Sequence, residues 1–504
     1  MFWWILVYCF FLIWLIKYLF RKKQNNHKRD LPGFKIHPII QNLYMIRVFL
    51  SVQDTNVALF KGLYNTCKMF FGYGIVRLYI GLRPLVICFS SDSFQAVLNS
   101  NTNIEKKFGY DFLKPWLMEG LLTSNGSKWR TRRKLLTHSF HFRILDDFRP
   151  ILNENAKILV EVLREFDGKT VDIIPYMSRC ALDVVCETTL GIQLNSMRNK
   201  DCQYLHGIVK IGEVFPYRIL RPWYWSDRIF YMTRKGKQTK DTMDKLKEFA
   251  IEIILKRKSS FSGTFVDEEN YIFSSKKLAL LDLLLYHQEN GSKISDNDIL
   301  EEVNAFMFAG HDTTAHALSW TLFLLGNHSQ IQDKLLKEID DIFGDDIERN
   351  VTIEDIKNLK YLECVIKESL RLFPSVPLMS RDLSEDVKVN GFIIPKGTTC
   401  ILYTYLLHRN PYLFTNPDIF NPDRFLPDNC KGRHPYSYVP FSAGSRNCIG
   451  QKLALMEEKV ILSHIFRHYT VESMENNIKK LAITGEMILR PKYGLKIKLK
   501  ERKR

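Results

Sequence analysis

The spacing of hydrophobic positions along this chain changes in blocks, and each block predicts an element. From Phe2 to Phe20 every residue except Lys17 is apolar or aromatic, a run of about 20 residues that suits a helix crossing a bilayer. Two short alternating runs follow, Ile75–Ile80 and Leu85–Phe89, broken by Gly81 and Pro84, and they predict a hairpin. Ser295, Asp296 and Asp298 open a long helical segment, Asp298 to Asn327, with acidic residues in its first turns as a helix start prefers. Lys357 to Phe373 reads as another helix, stopped by Pro374. Alternation returns around Val387–Ile394 and Thr399–Tyr403, then gives way to a Pro/Asn/Asp-rich coil from Asn410 to Pro435. Helical spacing resumes from Ile449 to Phe466, and Lys496–Lys500 alternates like an edge strand with solvated charges. The pattern predicts a mainly α body with a small β-lobe, preceded by a single N-terminal transmembrane helix. Residues 1–20 form the membrane anchor, 21–38 a basic linker and Pro/Gly hinge at Leu31-Pro32-Gly33, and 39–504 the catalytic domain.

Composition narrows the class. Hydrophobic residues make up 46% of the 504 positions and charged residues 25%, ordinary for a folded chain, and no fixed-period repeat appears. The ten cysteines show neither CxxC pairs nor regular spacing, which argues against a zinc site and a disulfide framework and for a reducing compartment. No HExxH or His/Cys cluster accompanies the histidines. The net charge of +17 sits mostly at the two ends: residues 1–30 carry +5, residues 490–504 carry +7, and the body keeps +5. That distribution fits a juxtamembrane basic segment and a charged terminal strand, with no nucleic-acid module. Arg21, Lys22, Lys23, Lys28 and Arg29 follow the apolar run, and no Ala-x-Ala-like site follows it. An uncleaved anchor is therefore expected, with the basic flank and the body on the cytosolic side of the endoplasmic reticulum membrane.

Cys448 is the chief candidate for chemistry. It lies in Phe441-Ser442-Ala443-Gly444-Ser445-Arg446-Asn447-Cys448-Ile449-Gly450, at the predicted start of a helix, where backbone N–H groups and the helix dipole favour a thiolate. Taken alone, an unpaired cysteine is more often a buried core residue. The frame of Phe, Gly, Arg, Cys and Gly changes that balance, since five fixed positions match by chance on the order of one time in ten thousand in a chain this long. The frame resembles the cysteine loop of the haem-thiolate monooxygenases, the cytochromes P450. The resemblance runs from about residue 105 to 500 and implies the cytochrome P450 fold. It also implies that Cys448 is the axial ligand of a haem iron, that Arg446 pairs with a haem propionate, and that Phe441 shields the sulfur.

The same resemblance gives roles to other motifs. Ala309-Gly310-His311-Asp312-Thr313-Thr314 resembles the family's oxygen-activation groove, in which Asp312 and Thr313 would deliver protons through ordered water. Without the resemblance, Gly310 reads as a site of close helix packing and the threonines as hydroxyls bonded to the preceding turn. Trp129 and Arg133, four apart on one helix face, resemble propionate partners, with Arg381 and His408 as weaker candidates. Glu368 and Arg371, with Arg424 in Pro422-Asp423-Arg424-Phe425, resemble a buried Glu–Arg–Arg cluster with a structural role.

Phe112-Leu113-Lys114-Pro115-Trp116-Leu117 and Glu302-Val303-Asn304-Ala305-Phe306-Met307-Phe308-Ala309 resemble the family-4 branch, the fatty-acid ω-hydroxylase type. Many members of that branch carry Glu where this chain has Ala309, and that Glu forms an ester with a haem methyl. Ala309 has no carboxylate, so a non-covalent haem b is expected. Phe112, Trp116, Leu117, Phe306 and Ala309 are the expected pocket residues. No flavin or nicotinamide fingerprint appears. Electrons would then come from NADPH through a separate NADPH–cytochrome P450 reductase, with cytochrome b5 as a further candidate donor. The expected reaction inserts one oxygen atom from O₂ into a lipophilic substrate: a fatty acid, a terpenoid or a xenobiotic. Two other readings stand beside it: a haem-thiolate isomerase or dehydratase that needs no electron donor, and a non-enzymatic haem or lipid carrier.

Overall fold

The computed structural model describes residues 31–34, 55–80, 83–140, 142–199, 202–261, 279–478 and 481–503, with Tyr8, Phe11, Trp14 and Leu15 as isolated positions. Most of the expected anchor and of the basic linker therefore lies outside the described residues. Among the described residues no helix is long and apolar enough to cross a membrane.

A 31-residue helix, Asp296–Gly326, runs through the centre and is buried on nearly every side. Ser295 and Asp298 close its N-terminus with a reciprocal capping box, as the acidic start predicts. The helix Ile174–Leu190 packs along it, and Gly310 sets their separation: a Cβ there would stand 2.4 Å from Val185 Cγ2. On another face lies the helix Gln451–His468, which in turn packs against Phe142–Arg164.

Eleven strands form four small sheets among the described residues. The largest joins β1 (Ile75–Ile80), β2 (Arg83–Cys88), β7 (Thr399–Tyr403) and β4 (Leu378–Asp382) in the order β1-β2-β7-β4. The predicted hairpin is there, with Ile75 opposite Cys88, and Pro84 sits inside β2 instead of breaking it. Only the β2–β7 pair is parallel. Leu31-Pro32-Gly33 packs on this lobe: Arg77 N–H donates to Pro32 O at 2.7 Å, and Leu31 is buried. The other sheets are β3 (Thr170–Asp172) with β11 (Lys496–Glu501) and β8 (Tyr469–Ser473), the pair β5 (Val387–Val389) and β6 (Phe392–Ile394), and the pair β9 (Ile483–Gly485) and β10 (Leu489–Pro491).

Two sequence expectations change. β11 is a central strand between β3 and β8, not an edge: Ile497 and Leu499 fill the core while the lysines point outward. The predicted helix over 357–373 is two helices, Ile353–Asn358 and Lys360–Leu372. They divide at the buried Leu359, where Glu338 caps the second by accepting from Tyr361 N–H at 2.6 Å and Leu362 N–H at 2.9 Å.

The coil from 410 to 435 is held from below by one ion pair. Arg371 donates from Nε and Nη2 to the two Glu368 oxygens at 2.7 and 2.8 Å, both side chains fully buried. Its remaining protons go to the carbonyls of His408, Pro417 and Ile419, and Arg424 Nε lies 3.4 Å from Glu368. The cluster read from the sequence is thus a pin between helix and coil. Three short 3₁₀ turns, Pro422–Phe425, Pro427–Cys430 and Pro435–Ser437, occupy its distal part.

Candidate active site: a cysteine loop beneath a helix groove

The cysteine loop is shaped by backbone constraints before chemistry enters. Ser442 and Gly444 adopt φ of +61° and +71°, and a Cβ on Gly444 would stand 2.0 Å from Leu98 O, so that turn tolerates glycine alone. Ser442 N–H donates to Val439 O, Asn447 N–H to Gly444 O, and Cys448 N–H to Phe441 O at 2.9 Å. The helix begins at Gln451 after Gly450, two residues later than the sequence pattern predicts. Cys448 opens to a cavity of about 250 Å³ that Phe441 also lines. Burial pushes the Cys448 thiol up, and the Gly450 amide, Arg133 and Lys106 only partly offset it. Ligation by a bound metal would displace the thiol proton.

Four cations gather at one side of this cavity. Arg446 lies over the Trp129 ring with its carbon 4.4 Å from the centroid, and donates to Ser124 O, to Asn125 Oδ1 at 3.0 Å and to Leu121 O at 3.4 Å. Its Nε is buried without a hydrogen-bond partner. Arg133 grips the loop itself, donating to Asn447 O at 2.8 Å and Asn447 Oδ1 at 2.7 Å. Arg381 is almost fully buried and donates to Ser380 O, and Lys106 lies over the Tyr110 ring. Among the described residues no carboxylate pairs with any of the four. Burial and mutual repulsion hold the Arg446 guanidinium down at about 9, and push Lys106 well below its ordinary value. Such a cluster wants anions. A haem, with two propionates and an iron needing a sulfur ligand, fits the cations, the orphaned Nε and Cys448 together.

Trp129, Arg133, Arg381, Arg446, Phe441 and Cys448 are thus brought together. His408 is not: its Nε2 accepts from Val439 N–H at 3.0 Å and its ring stacks on Tyr438, beside the Glu368–Arg371 pin. Burial first, then Arg371 and Arg409, hold it down at about 3, so it stays neutral and has no charge to offer a propionate. Lys106 and Tyr110 were not identifiable from the sequence.

On the other side of the central helix groove lies a larger cavity of about 350 Å³ with almost wholly apolar walls. The two cavities share Ala309 and Thr313, together with Tyr110, Leu122, Val376 and Met379. Of the five residues expected in the pocket, Ala309 lines both cavities and Phe306 the cysteine-side one. Phe112, Trp116 and Leu117 line neither: Trp116 and Leu117 are fully buried, Trp116 against Phe308, and Phe112 lies under Arg218. Their neighbours Tyr110 and Leu113 turn inward instead.

The groove keeps both features read from its sequence. Thr313 Oγ1 donates to Ala309 O at 2.8 Å and Thr314 Oγ1 to Gly310 O at 3.0 Å, the hydroxyl-to-preceding-turn bonds of the packing reading. Thr313 nonetheless borders both cavities. Asp312 borders neither and points into a buried network, accepting from Arg490 Nη2 at 2.5 Å with His316 beside it. Burial alone would push its carboxyl up, but Arg490 and His316 reverse this and hold it well below the usual carboxylate range.

Comparison with known proteins agrees with this geometry. The family model for Cytochrome P450 matches residues 32–499. Cytochrome P450 4c3 of Drosophila melanogaster is 41% identical over 503 residues, covering 97% of this chain and 93% of that protein. Cytochrome P450 4V2 of Rattus norvegicus is 44% identical, covering 90% and 87%, and that of Homo sapiens 45% identical, covering 85% and 82%. The crystal structure of the cytochrome P450DA heme domain superposes with a TM-score of 0.78 over 94% of this chain and 98% of that one; at 23% identity the likeness concerns the fold alone. Sequence relatives and fold agree over nearly the whole described body, and the chain belongs to the cytochrome P450 family and is a monooxygenase.

Proposed function

We propose that this chain uses a non-covalent haem, held by Cys448 and the four cations, to oxidise a lipophilic molecule bound in the apolar cavity. The observation that carries the reading is the shared wall. Ala309 and Thr313 border a cysteine-lined basic cavity on one side and an apolar cavity on the other, so cofactor and substrate would meet there. When bound, the haem supplies oxygen binding and O–O cleavage, which a thiolate ligand favours. The protein's own part is to hold and to exclude. Arg446, Arg133, Arg381 and Lys106 would hold the propionates, Trp129 packs against Arg446, and Phe441 would shield the sulfur. Thr313 presents its hydroxyl where a proton is needed, and Asp312 stands one residue behind it, anchored by Arg490.

Electrons come from NADPH through a separate reductase, with cytochrome b5 as a second donor, and the apolar run of residues 2–20 anchors the chain in the endoplasmic reticulum membrane with its body in the cytosol. Reconstitution with reductase tests the activity: substrate-dependent NADPH consumption with one oxygen atom of O₂ in the product is expected. Ligand binding without NADPH consumption would favour a carrier, and product without NADPH an isomerase. Acidic organic extraction tests the attachment; with Ala309 at the groove, all the haem should leave the protein. Alkaline carbonate tests the anchor, since an anchored chain stays in the membrane pellet.

A further inference from the structure

Arg446 and Lys106 line the cysteine-side cavity, and one side chain behind them fixes both. Asn125 Oδ1 accepts from Arg446 Nη2 at 3.0 Å and from Lys106 N–H at 2.8 Å, while its Nδ2 donates to Lys106 O at 3.0 Å. The carboxamide thus closes a two-bond ring with the backbone of residue 106 and spends its other lone pair on the guanidinium. This pattern fixes the amide's orientation, because a flipped group would set its NH₂ against both the Lys106 N–H and Arg446. It also fixes the residue type. Serine has too few groups, aspartate has no donor for Lys106 O, and glutamine is one methylene longer.

The segment carrying Asn125 is itself held from several sides. Leu121 N–H donates to Glu302 Oε2 at 2.9 Å, Thr123 Oγ1 to Met118 O at 2.8 Å, and Gly126 N–H to Glu105 Oε1 at 3.2 Å. Leu121 O, Ser124 O and Asn125 Oδ1 then form a row of acceptors that takes the Nη1 and Nη2 ends of Arg446. Asn125 therefore ties together three stretches far apart in the chain: the lysine at 106, the start of the helix Gly126–Thr137 that bears Trp129 and Arg133, and the cysteine loop. Of its contacts only the one to Arg446 involves a charge. It leaves that charge whole, since a neutral amide accepts a hydrogen bond without offering an anion.

We propose that Asn125 is a positioning residue for the haem propionates: it sets the Arg446 guanidinium and the Lys106 backbone in one fixed relation and leaves their positive charge free for the two carboxylates. A carboxylate in its place would still accept from Arg446 but would neutralise it in advance. This inference rests on the haem reading of the cysteine-side cavity.

The test uses the haem-loaded full-length protein in phospholipid nanodiscs, with haem affinity read from transfer to an acceptor protein. Asn125→Ala should weaken haem binding about tenfold, and Asn125→Asp at least as much, because the carboxylate competes with a propionate for Arg446. On an Arg446→Ala background the effect of Asn125→Ala should shrink to about threefold, the part that acts through Lys106. A residue that only held the chain together would give the opposite order. Asn125→Asp, with the same shape and both acceptor bonds kept, would be the milder change, and Asn125→Ala would weaken binding equally with or without Arg446. Either of those results, or unchanged affinity, overturns the inference and leaves the haem reading intact. If Asn125→Ala fails to fold, Asn125→Asp decides: a loss of about tenfold that shrinks without Arg446 supports the inference, and an equal loss on both backgrounds overturns it. An unmodified protein that takes up no haem, seen as the absence of a Soret band, overturns both readings together.

Discussion

The two sides of the Ala309–Thr313 wall solve opposite problems. On the cysteine side the backbone is fully committed: Cys448 N–H to Phe441 O, Arg133 to Asn447, Gly444 against Leu98. Its charges are not, since four cations crowd together and none of them is ion-paired with a carboxylate among the described residues, although Glu105 lies near Arg446. On the substrate side the charges are paired off behind the helix, Asp312 with Arg490, and the exposed wall is nearly all hydrocarbon. One side withholds electrostatic satisfaction until an anionic cofactor arrives. The other offers almost only apolar surface and so selects by shape.

The contrast can be broken at several points, and the largest effect should come from the pin below the cysteine side. Glu368→Ala leaves Arg371 buried and unpaired and should destabilise the protein by about 3–5 kcal/mol, read as a fall in the thermal midpoint with loss of haem. Next is the cation cluster. Arg446→Ala should weaken haem binding by about 10–100-fold, the worth of a charge-assisted hydrogen bond, measured by transfer of haem to an acceptor protein. The same change relieves repulsion on Lys106, Arg381 and Arg133 while removing the bonds to Ser124 and Asn125 and the Trp129 contact, so the haem-free protein's stability should change far less than its haem affinity.

A third prediction concerns pH. Glu458, at the cysteine-side cavity, is buried with one oxygen lacking a partner, and burial pushes its carboxyl from 4.5 up to about 8. Between those values the folded state binds the proton that the unfolded state releases, so stability falls as pH rises from about 4.5 to about 8 and is flat above. Glu458→Gln removes that penalty and should raise stability at pH 8 by on the order of 2 kcal/mol, with little gain at pH 4.5; chemical denaturation at the two pH values checks it. The smallest effect belongs to the shared wall. Thr313→Ala deletes a hydroxyl already bonded to Ala309 O, so folding should hardly change, while product formed per NADPH falls about two- to tenfold and peroxide appears. Unchanged coupling removes Thr313 from the chemistry and leaves it a packing residue.

These differences also explain what could be read beforehand. The cysteine side is built around a contiguous loop whose glycines, arginine and cysteine have local backbone reasons, so Phe441, Arg446 and Cys448 were legible from their order. Helical spacing put Trp129 and Arg133 on one face, and the family resemblance alone pointed them to the propionates. Lys106 did not, because an isolated lysine in an irregular stretch reads as surface, and only tertiary burial makes it part of the cluster. His408 was misplaced for the converse reason: it is buried, but by Tyr438 and the Glu368–Arg371 pin. The substrate side comes from scattered turns and strand ends. Over 110–117 the chain makes two short turns, and which of Tyr110, Phe112, Leu113 and Trp116 faces inward depends on a rotation that no hydrophobic pattern specifies. The long helix and the hairpin were plain, whereas the central place of β11 was not, since lysines alternating with aliphatics look alike in an edge strand and in a middle strand with one solvated face.

Gly444 resting on Leu98 O has a mechanical consequence. The helix Ser91–Leu98 packs with the β-lobe core, and Leu31 belongs to that same core. The lobe on which the chain lands after its N-terminal segment is therefore clamped, without a spacer atom, to the loop that carries the sulfur. A shift of the lobe against that loop would have to open or close this contact, so the position of the lobe and the setting of the Cys448 loop are coupled.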